Sequence, residues 1–414
     1  MIRIGIVGCG RILAAHLRGY RLLREAGIDD FRITALCARK ADDARMYIRR
    51  GEGPPQRSAV SDIAGDPLSV GDEYLSDFQD DVEVSVHTDY RQMIAEAPID
   101  AVNDFSTHAL HHQVAEVAFE HGKHLLTQKP MAVTIAAGRR MCQLARDREL
   151  VFGVFENFRH EPITRHLHWA FDSQRCGRPQ LVLIGYVAAW WAPDLIVAET
   201  PWRHQLVSGG GISLDLGVHF FDQIRHVVGE IELVSATTSI IEPRRVMRDT
   251  RGAIVQEIAC DADDTVAAQA VTDSGVMVNL CASWAGHGEP TQIGSGVVYH
   301  GSRARVNGDQ VTFDDSRQCS LAELYKAEAP LEVRQRDFPH GLSNGFALSQ
   351  LDWLRAIQEH RAPETDGLEG LRDLAAAYSL LESHVAGMRI RVADVFEGRV
   401  QKYQRPIDAH FGIG

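Results

Sequence analysis

Asp215 and His219 stand four residues apart behind the triplet Gly209-Gly210-Gly211. On a helix that spacing puts both side chains on one face. An imidazole with an unperturbed pKa of about 6.5 can take and return a proton at neutral pH. A carboxylate beside it can orient the ring or bind a neighbouring hydroxyl. Lys129 closes the strand-like run His124-Leu125-Leu126-Thr127-Gln128, just before Pro130, and its ammonium could steady an alkoxide as it forms. A base for a hydroxyl proton and a cation for the oxygen left behind are what hydride loss from a carbinol needs. Each motif alone is ordinary: Asp-x-x-x-His is commonly a helix-surface pair, and Lys-Pro a loop. Their joint occurrence, in this order, carries the reading.

A partner for such a hydride is suggested at the N-terminus. Gly8-Cys9-Gly10-Arg11-Ile12-Leu13 follows the strand-like run Ile2–Val7 and opens a helical pattern, the context a dinucleotide fingerprint requires. Gly8 would make the tight turn, and Gly10 would let backbone approach a pyrophosphate seated on the helix N-terminus, at Arg11 and Ile12. Leu13 fills the third small position, so the G-x-G-x-x-G match is incomplete. The second strand should end near Cys37 and Ala38. NAD sites often place a carboxylate there for the ribose 2′-hydroxyl, whereas arginine meets a 2′-phosphate. Ala38-Arg39-Lys40 lacks the acid and supplies two cations, which favours NADP within an NAD(P) site; otherwise the two cations simply begin a solvated helix.

Elements able to hold these residues follow from periodicity. Up to residue 155 strand-like runs alternate with helical patterns, which predicts βαβ units and a parallel sheet. Strands are expected at Ile2–Val7, Ile33–Cys37, 99–103, 124–127 and 150–155. Helices are expected at 14–25 and 41–50, and after Ser106-Thr107-His108 as far as a stop at Gly122. Gly51 to Asp81 breaks the rhythm, with Pro54-Pro55, eight acidic residues and a single arginine; it reads as an insertion, most simply a solvated acidic loop. Beyond about Phe158 come successive β-branched runs, 181–187, 233–241, 265–271 and 276–283, expected to form an antiparallel or mixed sheet. A final helix is expected over 368–388. The predicted organisation is a dinucleotide-binding domain over 1–155, carrying the insertion at about 51–81, and a substrate-binding and oligomerisation domain over 156–414.

Three segments together resemble a known family: Ser106-Thr107-His108-Ala109-Leu110-His111, Gly122 to Pro130, and Gly209 to His219. With the N-terminal glycines they are similar to the glucose–fructose oxidoreductase / inositol dehydrogenase / rhizopine catabolism (Gfo/Idh/MocA) family. The likeness extends to Asn157-Phe158-Arg159, Trp202-Arg203 and Gly301-Ser302. It implies an α/β protein with an N-terminal Rossmann fold and a C-terminal α+β domain on an open, mostly antiparallel sheet. Hydride would pass between NAD(P) and a secondary alcohol or ketone of a sugar, cyclitol or related compound. Lys129, Asp215 and His219 map onto the residues that surround the reacting carbon in the family. Ser106, Thr107, His108, His111, Gln128 and Lys129 map near the coenzyme. The family's glutamate before the lysine is Gln128 here, which removes a charge beside Lys129. Asn157, Trp191, Trp202 and Arg203 are candidate substrate contacts, with Trp190 and His287 weaker ones, because aromatic faces pack on sugar rings.

The bulk properties exclude other classes. A formal net charge of −13 is wrong for a nucleic-acid surface. No run approaches the ~20 apolar residues of a membrane span, and the N-terminal run is too short for a signal peptide. Seven cysteines without a CxxC pair suggest a reducing compartment, so a cytoplasmic location is expected. His108, His111, His112 and His124 could suggest zinc, but no cysteine or carboxylate cluster accompanies them, and no metal is expected. The family resemblance implies association into a homodimer or homotetramer through the open sheet, since an uncovered sheet face invites pairing. Two other functions fit the same motifs: a redox-neutral glycosidase or lyase with tightly held NAD, and a non-enzymatic coenzyme sensor.

Overall fold

The structure, a computed structural model, describes residues 1–63, 65–187, 191 and 193–414. The chain forms two compact units: Met1–Val133 with Ala137–His160 and Phe338–Gly370, and Thr134–Ala136 with Glu161–Asp337 and Leu371–Gly414.

In the first unit six strands, β1 (Ile2–Val7), β2 (Phe31–Cys37), β3 (Ser85–His87), β4 (Ala101–Asp104), β5 (His124–Gln128) and β6 (Phe152–Phe155), form one sheet in the order β3-β2-β1-β4-β5-β6. All pairs are parallel. The long apolar runs of β1 and β2 suit strands covered on both faces. Chain order reverses between β1 and β4, and ligands of such sheets bind outside the carboxyl ends of the strands at that point. Gly8, Ala38, Ser106 and Lys129 all directly follow, or stand within two residues of, strand ends on that edge.

Helix Leu13–Glu25 packs against Gly345–Glu359, which belongs to the returning segment 338–370. Gly19 allows the approach: a Cβ there would sit 2.4 Å from Gln350 Oε1. Trp353, fully buried, donates its indole N–H to the Leu125 carbonyl at 3.1 Å. The first unit is therefore not one continuous stretch ending near residue 155. No local pattern announces the return, because 345–359 reads simply as another amphipathic helix.

Several expectations need correction. The helix after β2 spans only Ala41–Arg45, since the chain then turns to bury Met46 and Tyr47. The acidic segment 51–81 is not a purely solvated loop. Leu75 and Glu73 are buried, and the Gln79 side chain pairs with both backbone groups of Ile33 at 3.0 and 2.7 Å. Backbone bonds from Leu75 and Ser76 to the Tyr47 and Ile48 carbonyls, 2.9 and 3.0 Å, fix it further. Strand β3 and helix Tyr90–Glu96 carry too short a pattern to be read in advance. The stop at Gly122 occurs as expected, with φ +67°.

The second unit is built on β7 (Pro179–Val187), β8 (Ile231–Ser239), β9 (Arg244–Arg248), β10 (Ile254–Ala259), β11 (Thr265–Thr272), β12 (Met277–Ser283), β13 (Thr291–Gly301), β14 (Ala304–Asn307), β15 (Gln310–Phe313), β16 (Gln318–Ser320) and β17 (Ile390–Arg391). Nine form a sheet in the order β16-β15-β14-β13-β7-β12-β11-β8-β17, and β9 and β10 form a separate ribbon. Within the large sheet β7 and β12 run parallel and the other neighbours antiparallel. Val266, Ala270, Val278 and Ala282 are buried on one face, while Met277 and Cys281 are exposed on the other. Among the described residues no helix is long and apolar enough to cross a membrane.

Candidate active site

The glycine turn lies where the fingerprint places it. Gly8 has φ +101°, and its N–H donates to the Cys37 carbonyl at 2.9 Å. A Cβ on Gly8 would lie 2.5 Å from the Phe105 carbonyl carbon and 2.6 Å from the Ser106 nitrogen, so β1 and β4 can converge only with glycine there. Gly10 differs: a Cβ there would meet nothing within 4 Å, leaving room for a ligand. Helix Leu13–Glu25 begins behind Ile12 with no side-chain cap, which leaves its positive end to an anion. Ser106 Oγ is buried with no hydrogen-bond partner among the described residues. An open cradle, an uncapped helix start and an orphaned hydroxyl fit a dinucleotide.

Around it, Ser106 donates its N–H to Asp104 Oδ1 at 3.0 Å, and Thr107 precedes helix His108–Glu120 without capping it. His111 is buried; its Nδ1 lies 2.9 Å from the Pro130 carbonyl, tying that helix to the Lys129-Pro130 turn, whose peptide is cis. His108 is buried with its ring 5.7 Å from that of His111, and burial pushes His112 down to about 4. No group of three or more histidine, cysteine or carboxylate side chains among the described residues is arranged to hold a metal. Ala38 is buried, while Arg39 and Lys40 are exposed. Arg11 instead reaches the Ser58 carbonyl at 2.6 Å.

Gln128 has a partner that local sequence could not reveal. Its amide nitrogen lies 2.7 Å from Nε2 of His16, whose ring is fully buried and stacks 3.4 Å from that of Phe105. Burial holds His16 well below the ordinary histidine range, so the ring is neutral and Nε2 can accept from the amide. The Gln128 side-chain oxygen Oε1 also accepts from the Lys129 N–H at 3.3 Å. Thus the departure from glutamate supplies a neutral donor to a neutral ring and steadies the strand end bearing Lys129.

A histidine whose folded pKa is depressed contributes stability that is present above its unfolded pKa, about 6.5, and lost as pH falls below it. Wild-type protein should therefore lose stability below that pH. Gln128→Glu should raise the His16 pKa by ion pairing and reduce the fall in Tm between pH 7 and 5 by roughly 2–4 °C. Proton NMR of His16 and melting curves check this; an unshifted titration would show that the pair is not coupled.

The second unit holds the remaining candidates. Gly209 and Gly211 have φ +70° and +108°, and Gly211 donates to the Arg203 carbonyl at 2.8 Å. A Cβ on Gly211 would stand 2.1 Å from Asp263 Oδ1. The triplet thus lets the chain turn against Arg203–Gln205 and Asp263 within its own unit. Asp263 accepts from the Ser213 hydroxyl at 2.6 Å and its N–H at 3.2 Å, holding the helix start. Burial pushes its carboxyl up to about 7. Asp215 and His219 are both buried. They lie on two helices, Ile212–Asp215 and Gly217–Val228, that meet at Leu216, whose backbone stays in the right-handed helical region at φ −99° and ψ −30°. Bonds from Leu216 to Ile212 (3.0 Å) and Phe220 to Leu216 (3.1 Å) keep the chain nearly helical through that point.

Arg203 donates through Nε to Asp215 at 2.8 Å and lies 4.4 Å over the Trp202 ring. Its nearest assignable role is therefore to hold Asp215. The carbonyl of Trp191 accepts from Arg245 at 3.2 Å; Trp190 lies outside the described residues. His287 is exposed and pairs with Glu242 at 2.7 Å. Asn157, in the first unit, is buried at the start of helix Asn157–His160. Sequence reading missed His16 and Asp263, since nothing near either in the chain points to residues 128 or 211–213.

Comparison with known proteins agrees with both halves. Residues 2–156 match the oxidoreductase family with an NAD-binding Rossmann fold, and residues 164–314 match the GFO/IDH/MocA C-terminal domain. The 1,5-anhydro-D-fructose reductase of Ensifer adhaerens is 23% identical over 306 residues, 74% of this chain and 83% of that protein. The myo-inositol 2-dehydrogenase of Thermotoga maritima is 25% identical over 241 residues, 58% of this chain and 59% of that protein. A solved levoglucosan dehydrogenase in complex with NADH and L-sorbose shares the fold, with a TM-score of 0.73 at 20% identity, covering 95% of this chain and 99% of that one. From the glycine turn of its parallel sheet to the nine-stranded sheet of its second unit, the chain belongs to the Gfo/Idh/MocA oxidoreductase family.

Proposed function

We propose that the protein is an NAD(P)-dependent dehydrogenase or reductase acting on a secondary alcohol or ketone of a sugar, cyclitol or sugar derivative. The observation that carries this reading is the retention of Lys129 at the end of β5 together with buried Asp215 and His219 behind the glycine triplet. When bound, the nicotinamide supplies the hydride acceptor or donor. His219 takes the hydroxyl proton in oxidation and returns it in reduction. The Lys129 ammonium steadies the negative charge that builds as hydride leaves. Asp215, held by Arg203 at 2.8 Å, orients the imidazole or accepts from a neighbouring hydroxyl. NADP is the proposed preference, supported by Ala38 where an acid would suit NAD and by exposed Arg39 and Lys40.

The test is an absorbance screen of sugars, cyclitols and their oxidised derivatives with NADP(H) and NAD(H). Turnover of free coenzyme with at least one polyhydroxylated compound is the expected result. Product formation without net coenzyme turnover would favour redox-neutral chemistry instead, and binding without any turnover a sensor.

A further inference from the structure

We propose that Arg57, carried by the acidic insertion, is part of the site for the coenzyme's adenosine 2′-phosphate and determines specificity for it. This rests on the dinucleotide reading above. Arg57 is the single cation between Gly51 and Asp81, among eight acidic residues. A solvated acidic loop gives no reason for its position, yet it points inward onto the glycine turn. Nη1 donates to the Cys9 carbonyl at 3.0 Å, and Nη2 pairs with Asp43 on the helix that follows β2. Cys9 lies between Gly8 and Gly10, so the guanidinium bridges the two segments that flank the adenosine ribose in a Rossmann site.

Its placement is enforced from several sides. Tyr47 donates its hydroxyl to the Gly10 carbonyl at 2.9 Å, closing the turn that Arg57 contacts through Cys9. Arg11 grips the neighbouring Ser58 carbonyl at 2.6 Å. Gln56, one residue before Arg57, bonds the Glu73 carbonyl at 2.6 Å and accepts from the Asp72 N–H at 3.1 Å. The Arg57 side chain nevertheless stays 31% exposed, so a ligand can reach it.

Charge supplies the specificity argument. Asp43 is a carboxylate close to where NAD sites bind the 2′-hydroxyl, and alone it would repel a 2′-phosphate. Paired with Arg57 it is neutralised. The guanidinium has five N–H donors, more than its two protein acceptors here require. With Arg39 and Lys40 exposed after β2 and Arg45 paired with Asp42, Arg57 brings the local count to four cations against two acids, Asp42 and Asp43. Arginine is the side chain best matched to a phosphate, through its planar fork.

The experiment titrates adenosine 2′,5′-bisphosphate and adenosine 5′-monophosphate into the full-length wild type, Arg57→Ala, Arg57→Lys and Asp43→Asn, by calorimetry, with Tm recorded for each. Arg57→Ala should weaken the bisphosphate about 10–100-fold, as expected for loss of a charge-assisted hydrogen bond, and the monophosphate less than about threefold. Arg57→Lys should fall between. Asp43→Asn should leave bisphosphate affinity at or above wild type. Equal losses for both ligands, no loss for either, or weaker bisphosphate binding in Asp43→Asn would overturn the proposal and reduce Arg57 to a staple for the insertion. Wild type that binds the monophosphate and NADH but not the bisphosphate overturns the proposal while the oxidoreductase reading stands. Wild type that binds no dinucleotide overturns both.

Discussion

Replacing His219 with alanine should lower kcat by about 10²–10⁴-fold, the usual contribution of a placed general acid–base group. Coenzyme affinity should change little, because the pyrophosphate is proposed to bind at the glycine turn, of which His219 is no part. Lys129→Ala should lower kcat and raise KM together, since an ammonium on the reacting oxygen acts before and during hydride transfer. Steady-state kinetics, with coenzyme titration by fluorescence, checks both variants. Wild-type kcat in His219→Ala would assign the base to another group. Lys129 would then be tested first.

The two glycines of the N-terminal turn should fail in opposite ways. Gly8→Ala places a Cβ 2.5 Å from the Phe105 carbonyl, a backbone atom that no rotamer change can move, at a φ of +101°. Left-handed strain of about 1–2 kcal/mol and overpacking of about 1–3 kcal/mol together predict a loss of about 2–5 kcal/mol in stability. Gly10 carries neither penalty, because a Cβ there meets nothing within 4 Å. Gly10→Val should therefore melt close to wild type while binding NADPH or NADH roughly tenfold or more weakly, a change of about 1.4 kcal/mol, by blocking backbone approach to the pyrophosphate. Melting curves and coenzyme titration on the same preparations separate the two. A Gly10→Val protein with unchanged affinity would remove the coenzyme from this turn, and a Gly8→Ala protein as stable as wild type would contradict the tight convergence of β1 and β4.

What could be read from the chain alone was set by short-range physics. Strand β1 and the Gly8–Leu13 turn were legible because an apolar run, a residue free to adopt positive φ and a helix start are all local. The long β-branched runs announced β7, β8, β11 and β12 by the same logic, and Gly122 marked a helix end because left-handed backbone is cheap only there. Lys129, Asp215 and His219 were legible as motifs, through residue type and spacing. Tertiary structure alone decided what surrounds them. His16 meets Gln128 across 112 residues, and burial rather than any neighbour in sequence sets its charge. Asp263 holds Ser213, and Arg203 holds Asp215, through side chains brought together by the glycine triplet's close approach. Helix Gly345–Glu359 returns to the first unit because its apolar face completes that core, which periodicity can show to exist but not locate. The acidic segment shows the limit most directly. Its composition favours solvation, yet a few partners far apart in sequence, Gln79 with Ile33 and Arg57 with Cys9, turn it inward onto the sheet edge where the glycines lie.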